Sequence, residues 1–280
     1  MHPILISIGS FRLPTYGMLF AMGLLGAIYT VVRLGKRENL DPGRLLDFST
    51  WLLIVGLVGA KILYVVTTWG SEYRSMGDIF SWATLQSGGV FYGGFVAAVI
   101  FAVWYIRASR LPMLKIFDVY APGIALAQSV GRLGCFAAGC DYGKATTSFL
   151  GVTFTSTFAH DLTGVPLGVR IYPTQIIESL ATFIIFGILL WRYRRKAYHG
   201  QIFVIYLTLY AVARFFIEFL RGDEDRGFVF NHLLSTSQFV AILALIAAAG
   251  MVWKLRGRSP AVAAVSDRRE LPLRAKRARS

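Results

Sequence analysis

One apolar stretch of this 280-residue sequence carries ionisable side chains at helical spacing. It reads Tyr210-Ala-Val-Ala-Arg214-Phe-Phe-Ile-Glu218-Phe-Leu-Arg221. Tyr210, Arg214 and Glu218 recur every fourth residue and share one helix face; Arg221 follows Glu218 by three. A buried arginine costs about 2.5–3.5 kcal/mol at mid-membrane depth, so it meets a partner or a wet cavity. Two readings are open here: a site for a phosphate-bearing lipid, or an Arg–Glu pair that holds a bundle together.

A second constellation is Gly131-Arg132-Leu-Gly134-Cys135-Phe-Ala-Ala-Gly139-Cys140-Asp141-Tyr142-Gly143. Its glycines let helices or ligands approach closely, and a guanidinium fork suits phosphate oxygens. The alternative for Arg132 is a side chain that snorkels to headgroups. Cys135 and Cys140 are the only cysteines. Five positions apart on a regular helix, they miss disulfide geometry; a bridge requires the helix to end between them. The simpler reading is two small residues near a helix end. No histidine cluster accompanies them, so no metal site is expected. No P-loop or other cofactor motif occurs, and no cofactor is expected.

Two further motifs are weaker by themselves. Gly88-Gly89-Val90-Phe91-Tyr92-Gly93-Gly94 reads as a bent helix entry. Tyr172-Pro173-Thr174-Gln175-Ile-Ile-Glu178 opens a helix at proline and turns Gln175 and Glu178 the same way, as a site or as a polar first turn. Asp118 and Lys61 read as structural residues near helix ends.

The elements that must hold these residues are membrane spans. The sequence is 55% hydrophobic and 16% charged, far from a soluble domain. Apolar runs occur at Tyr16–Leu34, Leu46–Val66, Val90–Ile106, Phe117–Phe136, Thr174–Tyr193, Phe203–Leu220 and Gln238–Trp253. They lack strand alternation, and helices satisfy their own backbone in lipid. The expectation is an all-α polytopic membrane protein with seven transmembrane helices.

The net charge of +14 marks topology rather than nucleic-acid binding. Of the 29 basic residues, 20 fall in alternate loops and the tail after Trp253. That asymmetry predicts an outer N-terminus and an inner C-terminus. The membrane domain is 1–253, with an aromatic interfacial arm at 67–89 and a small outer head at 141–172. The basic tail 254–280 reads as disordered and held near anionic lipid.

Taken in order, these motifs resemble the prolipoprotein diacylglyceryl transferase family from about Ile8 to Trp253. The stretch ending Tyr16-Gly17 is similar to the family's N-terminal segment, and Gly-Gly-Val-Phe-Tyr92-Gly93-Gly94 to its third-span motif. Gly131-Arg132-Leu-Gly134 is similar to its Gly-Arg-x-Gly motif, and Pro173-Thr-Gln175-Ile-Ile-Glu178 to its Pro-Ser/Thr-Gln-x-x-Glu motif. The Tyr210–Arg214–Glu218–Arg221 set resembles its late-span motif, and Gln238 fits the residue opening its last span.

The resemblance implies an enzyme of the bacterial inner membrane, N-terminus periplasmic and C-terminus cytoplasmic. Its partners would be phosphatidylglycerol, prolipoprotein signal peptides with a lipobox cysteine, and membrane lipids, with no nucleic acid. The lipobox thiol would attack the glycerol C3 of phosphatidylglycerol, forming a thioether and releasing glycerol 1-phosphate. Arg132 would bind the phosphate, Arg214 the same headgroup or leaving group, and Glu218 would orient Arg214. Tyr92 would belong to the catalytic set. Tyr16 and Tyr210 would line the cavity, Gly93, Gly94 and Gly143 would shape it, and Gln175, Glu178 and Arg221 would complete it.

The sequence departs from the family pattern at three points. Tyr92 stands where histidine is frequent, and a protonated phenol is a poor proton acceptor at neutral pH. Either Tyr92 acts as a hydrogen-bond donor, or the base lies elsewhere, with Glu178 and Glu218 as candidates, or activity is lost. Cys135 replaces an asparagine, and Cys140 or Asp141 holds the downstream acidic position. The competing readings are a lipid-binding relative without transferase activity and a lipid or anion carrier; the absence of an inverted repeat argues against the carrier.

Overall fold

The computed structural model describes residues 3–8, 11–69, 89–223, 227–229 and 233–256. Most of the expected arm (70–88) and tail (257–280) therefore lies outside the described residues. The chain divides into two compact units, 1–31 with 117–280, and 32–116.

The first unit opens with a short antiparallel hairpin, β1 (Ile4–Ile8) against β2 (Phe11–Pro14), feeding α1 (Thr15–Arg37). The hairpin is absent from the sequence expectation because its strands are too short to show a period. Its centre is α4 (Met113–Ala138), where Val119, Ala121 and Ala125 are fully buried. Small residues let α1 come close: a Cβ on Gly23 would lie 3.1 Å from the Val130 Cβ and 3.2 Å from the Ala127 carbonyl oxygen. On another side Ser129 and Ser179 exchange hydrogen bonds to each other's carbonyl oxygens at 2.9 and 2.8 Å, joining α4 to α6 (Thr174–Tyr193).

Asp118 of α4 organises the start of α7 (Gln201–Ile217). Its Oδ1 accepts from the backbone N–H of Ile202 and Phe203 at 2.9 and 3.1 Å. Its Oδ2 accepts from Gly200 N–H at 2.8 Å and Lys196 Nζ at 3.2 Å. This buried carboxylate satisfies first-turn donors that the helix cannot. A 3-10 turn, Glu218–Leu220, continues α7. The small strands β5 (Phe228–Val229) and β6 (Leu234–Ser235) lead into α8 (Thr236–Arg256). A reciprocal cap starts α8: Ser235 N–H donates to Gln238 Oε1 and Gln238 N–H to Ser235 Oγ, both at 3.1 Å.

Between α4 and α6 the chain forms β3 (Val152–Thr153), the short helix α5 (Thr157–Thr163) and β4 (Arg170–Ile171), with β3 and β4 antiparallel. Phe154, Ala159, Val165 and Ile171 give this segment its own apolar centre.

The second unit is built on α2 (Pro42–Thr68) and α3 (Phe91–Ala108). Asp41 caps α2, accepting from Gly43 N–H at 3.1 Å, and Pro42 occupies the first turn. Phe48 stacks on Tyr105 at 4.9 Å.

Among the described residues, six helices are long and apolar enough to cross a bilayer: α1, α2, α3, α6, α7 with its 3-10 extension, and α8. The chain is an all-α, multi-pass membrane protein. Seven spans were expected, and α4, the remaining long helix, falls short in apolarity rather than length. It carries Lys115, Asp118, Gln128 and Arg132. A helix sheltered by protein need not be as apolar as one bathed in lipid.

Candidate functional site

Arg132 sits in the last two turns of α4. Its Nη1 donates to Asp141 Oδ2 at 2.5 Å and its Nε lies 3.1 Å from Glu178 Oε1. Glu178 comes from the second turn of α6 and is almost fully buried. Two left-handed residues carry the chain from Arg132 to Asp141. α4 ends at Ala138; Gly139 adopts φ +89° and Asp141 φ +57°. The Gly139 conformation favours glycine, and a Cβ there would meet Val165 at 3.0 Å. The reversal brings Asp141 back over the helix that bears Arg132.

Asp141 also binds Arg221, whose Nη2 donates to Asp141 Oδ1 at 2.6 Å. Arg221 is further held by Asp223 through Nε and Nη2. Burial of Asp141 disfavours its charge, but the Arg132 and Arg221 guanidiniums outweigh burial and hold its pKa down at about 2. Arg221 is also buried, and its contacts with Asp223 and Asp141 raise its pKa above the ordinary arginine value.

A third arginine lies along α7. Arg214 Nη2 is 2.8 Å from Glu218 Oε2 and donates to Ser237 Oγ of α8 at 2.9 Å. Its Nη1 is buried and has no hydrogen-bond partner among the described residues. A buried, unmatched guanidinium nitrogen costs free energy unless an acceptor arrives. Tyr210 OH reaches Glu178 Oε1 at 3.4 Å and lies within electrostatic range of both Arg132 and Arg214.

The first unit thus brings together Arg132, Glu178 and Tyr210, and beside them Arg214 with Glu218. Tyr16 joins them by packing: a Cβ on Gly134 would lie 3.1 Å from the Tyr16 ring. Gln175 Nε2 donates to the Cys140 carbonyl oxygen at 2.7 Å, and Thr174 Oγ1 to that of Asp141 at 2.7 Å, so the start of α6 fixes the turn after α4. Gly143 bridges to Arg221 and lies flat against Tyr172, where a Cβ would fall 2.7 Å from the Tyr172 Cβ.

Tyr92, Gly93 and Gly94 belong to the other unit, at the start of α3. The two glycines face α2: a Cβ on Gly93 would lie 2.5 Å from the Gly59 carbonyl oxygen, and one on Gly94 2.7 Å from that of Gly56. They permit close backbone packing. Tyr92 is 45% exposed, its ring edge-on to Phe91.

The sequence reading missed the bridging role of Asp141, and Ser237 and Asp223 as arginine partners. Asp141 had a signal, a carboxylate just beyond the helix of a membrane-level arginine. One group among the described residues could gather a cation: Cys135 Sγ, Cys140 Sγ and an Asp141 oxygen lie within 4.8 Å of one another.

The arrangement is a cluster of buried guanidiniums neutralised by carboxylates, apt for exchanging an internal anion for a phosphate. Sequence comparison fits this chemistry. The family model for prolipoprotein diacylglyceryl transferase matches residues 3–254. A phosphatidylglycerol–prolipoprotein diacylglyceryl transferase of Clostridium tetani is 34% identical over 250 residues, covering 88% of this chain and 94% of the relative. The second such transferase of Clostridium perfringens is 34% identical over 260 residues, with 92% and 98% covered. That of Finegoldia magna is 33% identical over 249 residues, with 88% and 93% covered. The chain therefore belongs to the prolipoprotein diacylglyceryl transferase family.

Proposed function

We propose that this chain transfers the diacylglyceryl group of phosphatidylglycerol to the lipobox cysteine in the signal peptide of a prolipoprotein, the first step of lipoprotein maturation. The relatives are named for this transfer. The observation that carries the reading onto these residues is the buried Arg214 Nη1, a guanidinium donor with no acceptor among the described residues.

In this reading the substrate phosphate enters between Arg132 and Arg214. Arg132 exchanges Asp141 and Glu178 for phosphate oxygens, and Arg214 adds Nη1 while Glu218 and Ser237 hold its other nitrogen. The lipobox sulfur then attacks the glycerol C3. The carbon–sulfur bond forms as the carbon–oxygen bond to phosphate breaks, and glycerol 1-phosphate leaves with the electron pair. Two guanidiniums meet the charge that develops on the leaving oxygen. Their field also favours the thiolate. The thiol proton passes to Glu178 or Glu218.

Tyr92 serves as a hydrogen-bond donor, Tyr16 and Tyr210 as walls, and Gly93, Gly94 and Gly143 as close-packing positions. Gln175 and Arg221 hold the turn that carries Asp141. In this reading the N-terminus and the 141–172 segment lie outside the bacterial inner membrane and the C-terminus inside, which the asymmetry of the basic loops supports. Phosphatidylglycerol reaches the site from the lipid layer and the prolipoprotein by its own signal helix.

The test is direct. The purified protein is supplied with phosphatidylglycerol and a lipobox peptide. Peptide bearing a diacylglyceryl thioether, with matching glycerol phosphate, is the expected result. Lipid binding without either product would overturn transfer in favour of a lipid-binding relative.

A further inference from the structure

The two cysteines are not needed by the transfer reaction, yet they lie against its phosphate-binding arginine. α4 ends between them, at Ala138, and Gly139 N–H donates to the Cys135 carbonyl oxygen at 2.8 Å with Gly139 left-handed. This single bond to a left-handed glycine is a common helix ending, and beyond it the Cys140 side chain lies back against Cys135, three residues before the last helical residue. The Cys140 thiol sits 3.7 Å from the Cys135 carbonyl oxygen, the two Sγ atoms are within 4.8 Å of one another, and both side chains are partly exposed. The five-residue separation that forbids a bridge on a regular helix is relieved by the turn.

We propose that Cys135 and Cys140 form a reversible dithiol–disulfide pair that locks and releases the Arg132–Asp141 ion pair beside it. Asp141 is the next residue after Cys140, and Cys140 is already pinned through its carbonyl oxygen by Gln175 Nε2 at 2.7 Å. A bridge to Cys135 fixes Cys140 a second time, on the side of α4 itself. Asp141 then cannot leave Arg132, and the arginine cannot be given over to a phosphate. In the dithiol state the side-chain tether is absent and Asp141 can move away.

The chemistry balances with a disulfide oxidant as electron acceptor. Cys140 thiolate attacks one sulfur of the oxidant and expels the other as a thiolate, which takes up a proton. Cys135 then loses its proton, attacks the Cys140 sulfur and expels the second oxidant thiol. Two cysteine thiols are oxidised and one external disulfide is reduced to two thiols. A hydrogen bond from Cys135 draws the Cys140 thiol below its ordinary range despite burial, which suits Cys140 as the attacking sulfur. The proposed topology puts this turn on the oxidising side of the membrane. The same three donors fall one short of a closed zinc site, and the Arg132 guanidinium already occupies Asp141.

The effect on turnover rests on the transferase reading, whereas bridge formation does not. Full-length protein in phosphatidylglycerol nanodiscs is incubated with oxidised or reduced glutathione, and the intact mass, alkylatable thiols and transferase rate are read together. Oxidation is expected to remove two hydrogens and both alkylatable thiols without intermolecular crosslinking. Turnover should fall by about ten- to a hundredfold and return with dithiothreitol. Cys135→Ser and Cys140→Ser should each abolish the bridge and the oxidant sensitivity.

Thiols that stay alkylatable under oxidant, or a bridged protein with unaltered turnover, would overturn the proposal. So would stoichiometric zinc protecting both thiols, which would make the cluster a metal site. A bridge that forms in protein inactive in both states would leave the dithiol pair standing and sink the transferase reading instead.

Discussion

Two glycine-rich regions of this chain use glycine for opposite ends. In α2 and α3, Gly56 and Gly59 meet Gly94 and Gly93 so that two backbones touch. The gain is contact between helices, and no ionisable group takes part in those approaches. At the end of α4, glycine breaks a helix instead. Gly139 reverses the chain and delivers Asp141 to two arginines. The composition of the two segments is alike; what differs is whether the backbone stays helical. A glycine motif in a membrane protein thus marks close approach, and the charged residues beside it decide whether that approach packs or binds.

This contrast is open to attack, most strongly at the arginines. Arg132→Ala and Arg214→Ala should each lower thioether formation by about 10²–10³-fold, the scale for losing one charge-stabilising donor. Wild-type rates in either variant would remove that arginine from the phosphate site. In the packing region, Gly59→Val should act on stability alone. Its Cβ would fall 2.8 Å from the Gly93 carbonyl oxygen, and overpacking of this kind costs about 1–3 kcal/mol. Thermal unfolding should show a lower midpoint, with the rate per folded molecule retained.

A third experiment reads the charge network through pH. The Asp141 pKa is depressed from 3.8 to about 2, so its contribution to stability is fully present above about pH 4 and is lost as pH falls towards 2. That contribution is on the order of 2 kcal/mol. In acid unfolding, Asp141→Asn should flatten the stability profile between pH 4 and 2; an unaltered slope would show that the carboxylate is not held by the arginines.

The smallest effect falls on Tyr92. Tyr92→Phe should slow turnover by about three- to tenfold, the worth of one hydrogen bond, and Tyr92→His should be tolerated. An unchanged rate in the Phe variant would leave the whole α2–α3 region to packing.

The spans were readable because apolar length is a local property. The run Thr174–Tyr193 is α6 to the residue, since proline opens it and arginines close it. α2 begins four residues earlier than its apolar run because the Asp41 cap and Pro42 add a polar first turn. The Tyr210–Arg214–Glu218 spacing was legible for the same reason, one helix and its 3-10 continuation carrying the three residues. Asp141 was not: its partner Arg221 is 80 residues away, and the turn that presents it depends on a left-handed Gly139. The structural part of Asp118 was foreseeable in kind, but its N–H partners on α7 were not.

The placement of Asp141 has one more consequence, for which anions this protein responds to. A carboxylate tethered beside Arg132 and Arg221 acts as a resident competitor at high effective concentration. A small ion from the medium meets an arginine that is already occupied and gains little by exchange. A phospholipid is different, because the bilayer confines it to the same plane and its acyl chains add binding energy that no free anion has. On the proposed reading, the internal carboxylate sets a threshold that a membrane-borne phosphate clears more readily than a free anion, so that lipid anchorage would add to negative charge in what the site selects.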